Sequence, residues 1–107
     1  MLRIVSANLN GIRSADKKGF FDWLAGHHAD FVCVQELKAQ AGDLSPRMQN
    51  PDGMTGYFHY ADKKGYSGVG IYSRQAPDEV LTALPVAQRE ALFDTCQRWV
   101  EQHHVAA

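Results

Sequence analysis

Two short apolar runs, LRIVSAN at residues 2–8 and FVCVQE at 31–36, bracket a stretch with helical spacing, and this order constrains the fold more than anything else in the chain. Strand, helix and strand within about three dozen residues make a βαβ unit. Its two strands are expected to be parallel, joined by a right-handed crossover. Leu2, Ile4 and Val5 supply the apolar mass of a buried first strand. The FVCV run reads as a second buried strand with Cys33 as a buried thiol. Between them, a helix is expected to begin near Asp16, whose side chain can cap the first turn. Phe20, Trp23, Leu24 and His27 recur at helical spacing, with Trp23 as a core anchor; Gly26 and the His27-His28 pair suit the helix end. Parallel strands finish on the same sheet edge. Asn8 closes the first and Glu36 the second, so both are expected at the carboxyl edge, where α/β sheets bind ligands. Asn8 and Asn10 alternate and so face one side of an extended chain. Gly11 permits the turn that follows. Such a strand end closes a loop, or it presents polar groups to a phosphate or a metal.

Residues 39–56 are rich in Gly, Pro, Asp, Asn and Ser and read as loop with one short helical turn. YFHYA and VGIYSR read as strands of a hairpin whose loop, DKKGYSG, is longer than two residues. His59 in the first of these is taken as structural, and QAPDE as a break. From Leu84 the spacing of Val86, Arg89, Leu92, Phe93, Cys96, Trp99, Val100 and His103 describes an amphipathic helix, with Pro85 at its first turn and Trp99 as an anchor. His103 and His104 end this helix without the marks of a metal site.

The 107 residues allow one domain with a modest core. Residues 1–74 hold nine Lys/Arg against seven Asp/Glu, and residues 75–107 two against five. This weakly basic first part and acidic tail is also what a solvated surface gives. Two cysteines without a CxxC pair argue against zinc. No signal peptide or membrane-crossing run is visible, which makes a reducing cytoplasm the expected location.

Chemistry at a phosphodiester needs cations to neutralise developing charge. Magnesium takes oxygen ligands and often only one or two carboxylates. Glu36, with Asn8 and Asn10, would form such a partial site. The alternative is that Glu36 begins a loop and pairs with Lys38. Arg13 and Lys18, read as flanking a helix start, suit a phosphate; by themselves they also read as solvated surface charge. Tyr66 alone reads equally well as a half-buried hairpin aromatic.

Three blocks, IVSANLNGIRSA, DKKGFFDWLAGHHADFVCVQELK and KKGYSGVGIYSR, together resemble in order and spacing the start of the exodeoxyribonuclease III and apurinic/apyrimidinic endonuclease family. The resemblance covers residues 2–77, about 70% of the chain. It implies an α/β fold, part of a two-sheet sandwich of the endonuclease/exonuclease/phosphatase type. It further implies hydrolysis of DNA phosphodiesters with Mg²⁺, or with Mn²⁺ in its place, beside abasic sites or at 3′ ends of duplex DNA. By the same resemblance Glu36 is the metal-binding glutamate and Asn8 the active-site asparagine. Asn10 lies near the metal, and Lys38 supports the site. Arg13, Ser14 and Lys18 touch the DNA backbone, as do Gly65 and Tyr66 in a second loop.

The match stops near Gln75-Ala76-Pro77. The family pattern continues with a catalytic tyrosine, an Asp-x-Asn pair, a further aspartate and a Ser-Asp-His segment. Here the only later aspartates, Asp78 and Asp94, sit in neither context. Residues 1–77 therefore read as the N-terminal part of such a domain, and 78–107 as an unrecognised, non-family helical tail. A frameshift, a rearranged gene or a premature stop would give such a chain; a short paralogue is the alternative. Negligible nuclease activity is expected of it alone. With the second sheet missing, an apolar sheet face is expected to be left over. Phe93, Cys96, Trp99 and Val100 of the tail would cover it, or a homodimer would form through it. The rival functions are a non-catalytic DNA-binding or partner-binding remnant and a fragment of another superfamily phosphoesterase, acting on inositol phosphates or sphingolipids.

Overall fold

The computed structural model describes residues 1–82 and 86–103. Its order is β1 (Ile4–Asn8), α1 (Ile12–Lys17), α2 (Phe20–Ala25), β2 (Phe31–Gln35), α3 (Pro46–Gln49), β3 (Thr55–His59), β4 (Val69–Ser73) and α4 (Val86–His103). The strands form one mixed sheet in the order β1-β2-β4-β3. β1 and β2 are parallel, with Asn8 opposite Gln35. β4 runs antiparallel to both of its neighbours. The βαβ expectation and the long-looped hairpin are thus both present.

The helix of the crossover differs from the expectation. Gly11 (φ 103°) starts α1 at once, Gly19 (φ 89°) breaks it from α2, and Asp16 lies inside α1 rather than capping it. The break re-phases the second half, so Phe21 and Leu24 are buried while Trp23 remains 52% exposed, stacked on Phe20 and against His27. Segment 39–56 carries three short helical turns instead of one, 41–43, α3 and 51–53, and its last two residues begin β3. Arg47 of α3 reaches both crossover helices, 2.6 Å from Asp22 and 3.8 Å from Asp16.

One face of the sheet carries the core. Val32, Val34 and Tyr72 pack there with Ile12, Phe21, Leu24, Leu37, Met48 and Met54. Phe58 lies across the bare backbone of Gly70, where a Cβ would meet its ring at 2.5 Å. Arg74, just past β4, ties three segments together: it donates to the Ala29 carbonyl at 2.8 Å and to the Asp52 carbonyl and carboxylate at 2.7 and 2.8 Å.

The opposite face is open, and this corrects several expectations. Alternation and register place Ile4, Ser6 and Asn8 there with Phe31, Cys33, Gln35, Val69, Ile71, Tyr57 and His59. None is Asp, Glu, Lys or Arg. β1 is an edge strand whose Ile4 is 61% exposed, so it is not buried on both sides, and Cys33 is half-buried rather than enclosed. A sheet with a single helical layer buries alternate residues only. Residues 75–82 return beside this face, held at their start by a 2.6 Å bond from the Ser73 hydroxyl to the Gln75 carbonyl. A groove separates them from the sheet, lined by Phe31, Tyr57, Ile71, Val80 and Leu81.

The tail is helical as expected, but Leu92, Phe93, Cys96 and Trp99 are exposed and do not cover the sheet. The 75–82 segment takes up part of that face, and α4 packs extensively on no other element among the described residues. Leu84, Pro85 and His104 lie outside the described residues, as do the side chains of Val86, Arg89, Val100 and His103.

Candidate active site

Three loops converge at the carboxyl edge of β1 and β2, laced through their backbones. Leu9, Gly11 and Ile12 donate to the carbonyls of Gln35, Glu36 and Leu37 at 2.8–2.9 Å. Leu37 and Lys38 in turn donate to Gly68 and Ser67 at 3.1 and 2.8 Å. This lacing forces unusual backbone. Asn10, Glu36, Lys38 and Ser67 all have φ between 44° and 53°. Left-handed geometry suits Asn but costs other side chains of order 1 kcal/mol or more, and such residues gather at functional sites.

The side chains continue the network. Asn8 Oδ1 accepts from the Asn10 backbone N–H at 3.0 Å, and Asn10 Oδ1 accepts from the Lys38 ammonium at 2.5 Å. Lys38 therefore serves Asn10 and forms no pair with Glu36. The Glu36 carboxylate is exposed and has no hydrogen-bond or ion-pair partner among the described residues. Asn10 sits past the strand end in a turn, so strand alternation with Asn8 does not extend to it.

The basic residues frame this edge. Arg13, in the first turn of α1, donates to the Lys38 carbonyl at 3.3 Å and stands 3.9 Å from Asp43. Ser14 is exposed on the same helix. Lys18 lies at the far end of α1, not at its start, beside a shallow depression shared with Asn8, Phe20 and Trp23. Gly65 (φ 81°) shapes the β3–β4 loop, where Tyr66 is 56% exposed under the Lys63 ammonium, 4.2 Å from its ring centre. That loop reaches the edge through Ser67 and Gly68. Asp43 Oδ2 accepts from the Gln40 N–H at 2.9 Å. This bond first, then the nearby charges of Arg13 and Lys64, hold the Asp43 carboxyl below its ordinary range, with burial opposing.

Sequence reasoning missed Lys63, Lys64 and Asp43. The two lysines open the KKGYSG block and were legible there; nothing local marks Asp43. The oxygen donors Glu36, Asn8 and Asn10 suit a hard divalent cation that keeps several waters. No group of three His, Cys, Asp or Glu residues gathers to hold a metal among the described residues.

The family model for the Endonuclease/Exonuclease/phosphatase family matches residues 5–101, and the chain belongs to that family. The match runs past position 77 into α4. Among curated relatives, an exodeoxyribonuclease of Bacillus subtilis is 34% identical over 83% of this chain. A DNA-(apurinic or apyrimidinic site) endonuclease of Dictyostelium discoideum is 28% identical, also over 83%. The chain spans only 34% and 24% of those two proteins. Among solved structures, an AP endonuclease from Archaeoglobus fulgidus superposes with a TM-score of 0.64 at 31% identity, covering 76% of this chain and 30% of that one. The 3′ phosphatase NExo from Neisseria, bound to a product DNA hairpin, gives 0.66 at 26% identity over 79% of this chain and 32% of that one. The α/β fold read from the sequence is thus that of these DNA-processing enzymes.

Proposed function

We propose that residues 1–77 are the amino-terminal part of a metal-dependent DNA repair nuclease of the exodeoxyribonuclease III and abasic-site endonuclease kind, followed by a helical tail at 78–107. The observation that carries this reading is the unpartnered Glu36 carboxylate on a laced, left-handed turn beside Asn8 and Asn10. Glu36 would hold Mg²⁺ or Mn²⁺, with Asn10 close by, and the ion would neutralise charge developing on a phosphodiester. Asn8 is held by the Asn10 N–H in a fixed orientation toward the reacting groups. Lys38 orients Asn10 and adds positive charge. Arg13, Ser14 and Lys18 on one side, and Gly65 and Tyr66 on the other, hold the DNA backbone near an abasic site or a 3′ end. Cytoplasmic work on duplex DNA belongs to the same reading. Among the described residues no helix is long and apolar enough to cross a membrane.

By itself the chain is proposed to be inactive, because one carboxylate is left to do what several groups normally share. Loss of a single oriented electrostatic donor already costs ~10²–10³ in rate. The purified chain is expected to leave an abasic-site duplex intact in Mg²⁺, indistinguishable from Glu36→Ala and from an EDTA control. Nicking that disappears in both controls would sink the inactivity proposal and confirm the role of Glu36.

A second reading, a non-catalytic DNA-binding remnant, is favoured by the exposed basic residues Arg13 and Lys18. Salt-sensitive binding without cleavage distinguishes it from a dead protein. A relative named for DNA endonuclease activity and a structural neighbour bound to DNA weigh against an inositol phosphate or sphingolipid substrate. Two copies of the chain are proposed to pair through the charge-free sheet face, which α4 leaves uncovered. The melting temperature is then expected to rise with protein concentration; a concentration-independent melt would rule the pairing out.

A further inference from the structure

Asp43 has no place among the proposed metal-binding or DNA-binding groups, yet it faces α1 from the 41–43 turn. Its Oδ2 accepts from the Gln40 N–H at 2.9 Å, which fixes the carboxylate on the 41–43 turn. Its Oδ1 stands 3.9 Å from the Arg13 guanidinium of α1. Lys64, from the β3–β4 loop, also attracts it. Arg13 is anchored a second time, by its 3.3 Å bond to the Lys38 carbonyl, so it does not depend on Asp43 for its position. A carboxylate fixed beside a guanidinium offers it what a DNA phosphate would offer.

We infer that Asp43 is a built-in counter-charge that restrains phosphate binding by Arg13, so that DNA must compete with it for that cation. This inference rests on the DNA-binding reading of Arg13 given above. It makes Asp43 a residue that tunes affinity without touching the reacting atoms. Asn at this position keeps the shape and can still accept from the Gln40 N–H, so the substitution removes charge with little change in structure.

The test is binding of a fluorescent duplex to the full chain and to Asp43→Asn across a range of salt. Asp43→Asn is expected to bind severalfold more tightly at low salt. Its dependence of log K on log salt should steepen by about one, the increment for one further neutralised phosphate. Arg13→Ala should cost more in the Asp43→Asn background than in the wild type. Lys17→Ala, which removes an α1 charge outside the Arg13–Asp43 pair, should cost the same in both. Unchanged or weaker binding by Asp43→Asn, or an Arg13→Ala effect independent of background, overturns the inference. If neither protein binds the duplex, the DNA reading itself fails. Titration with inorganic pyrophosphate, followed through the Arg13 Nε–H resonance, then decides: a larger response in Asp43→Asn supports the counter-charge, and an equal response overturns it.

Discussion

Tyr72→Ala is expected to lower the stability of the chain by about 3–5 kcal/mol, the cost of truncating a large buried aromatic. The Tyr72 ring is fully buried in β4. It meets Phe21 and Phe58 edge-on, at 6.2 and 5.5 Å between ring centres. It thereby joins the crossover helices to the hairpin. Its hydroxyl donates to the Met48 carbonyl at 2.5 Å. Burial pushes its pKa up, so this hydroxyl keeps its proton and remains a donor. Truncation opens a cavity and leaves the Met48 carbonyl unpaired. A domain of this length has about 5–15 kcal/mol in all, so a large share disappears. Tyr72→Phe keeps the ring and loses only the hydrogen bond, about 1–3 kcal/mol. Urea titration of the three proteins measures both steps. A Tyr72→Ala midpoint equal to that of Tyr72→Phe would show that the ring is not the tie between layers described here.

The second large effect is at Glu36. Paramagnetic broadening by Mn²⁺ is expected to centre on the amides of residues 8–11 and 36–38, and Glu36→Ala is expected to weaken it at least ~10-fold. Changes in residues that merely support a metal already cost that much, and Glu36 carries its carboxylate on the laced turn itself. Because its side chain is exposed, the substitution leaves the core untouched and the melting curve should hardly move. Asn10→Ala should weaken the ion less and also release Lys38. Broadening that persists unchanged in Glu36→Ala would place the ion elsewhere.

Much of this was legible in the chain. The runs read as strands at 31–36, 57–61 and 69–74 became strands at 31–35, 55–59 and 69–73, because β-branched and aromatic residues bounded by turn residues leave few alternatives. The carboxyl-edge meeting of Asn8 and Glu36 followed from a parallel pair alone. Other features depend on partners far away in sequence. Trp23 and Leu24 both fit a helical stripe, and only the break at Gly19 decides which one turns inward. Cys33 lies in a run that looks buried on both faces, but an apolar run does not reveal how many layers will cover it. Glu36 and Lys38 have no intrinsic preference for left-handed backbone; hydrogen bonds from residues 9–12 and to 67–68 impose it. Asp43 is one more loop aspartate until α1 is folded against it.

The strand order has a consequence for the timing of folding. β4 lies between β2 and β3, so the sheet cannot be completed by adding neighbours in the order of synthesis. The hairpin of β3 and β4 closes locally, but its union with β2 joins residues 31–35 to 69–73, the kind of distant pairing that slows a transition state. On the ribosome, β1, both crossover helices and β2 emerge first. Val32 and Val34 then wait for a strand not yet made, and Tyr72 arrives with it. Folding of the nascent chain therefore hinges on one late event, the seating of β4, and until it happens the early half holds only part of its interior, Ile12, Phe21, Leu24, Val32 and Val34 without Tyr72.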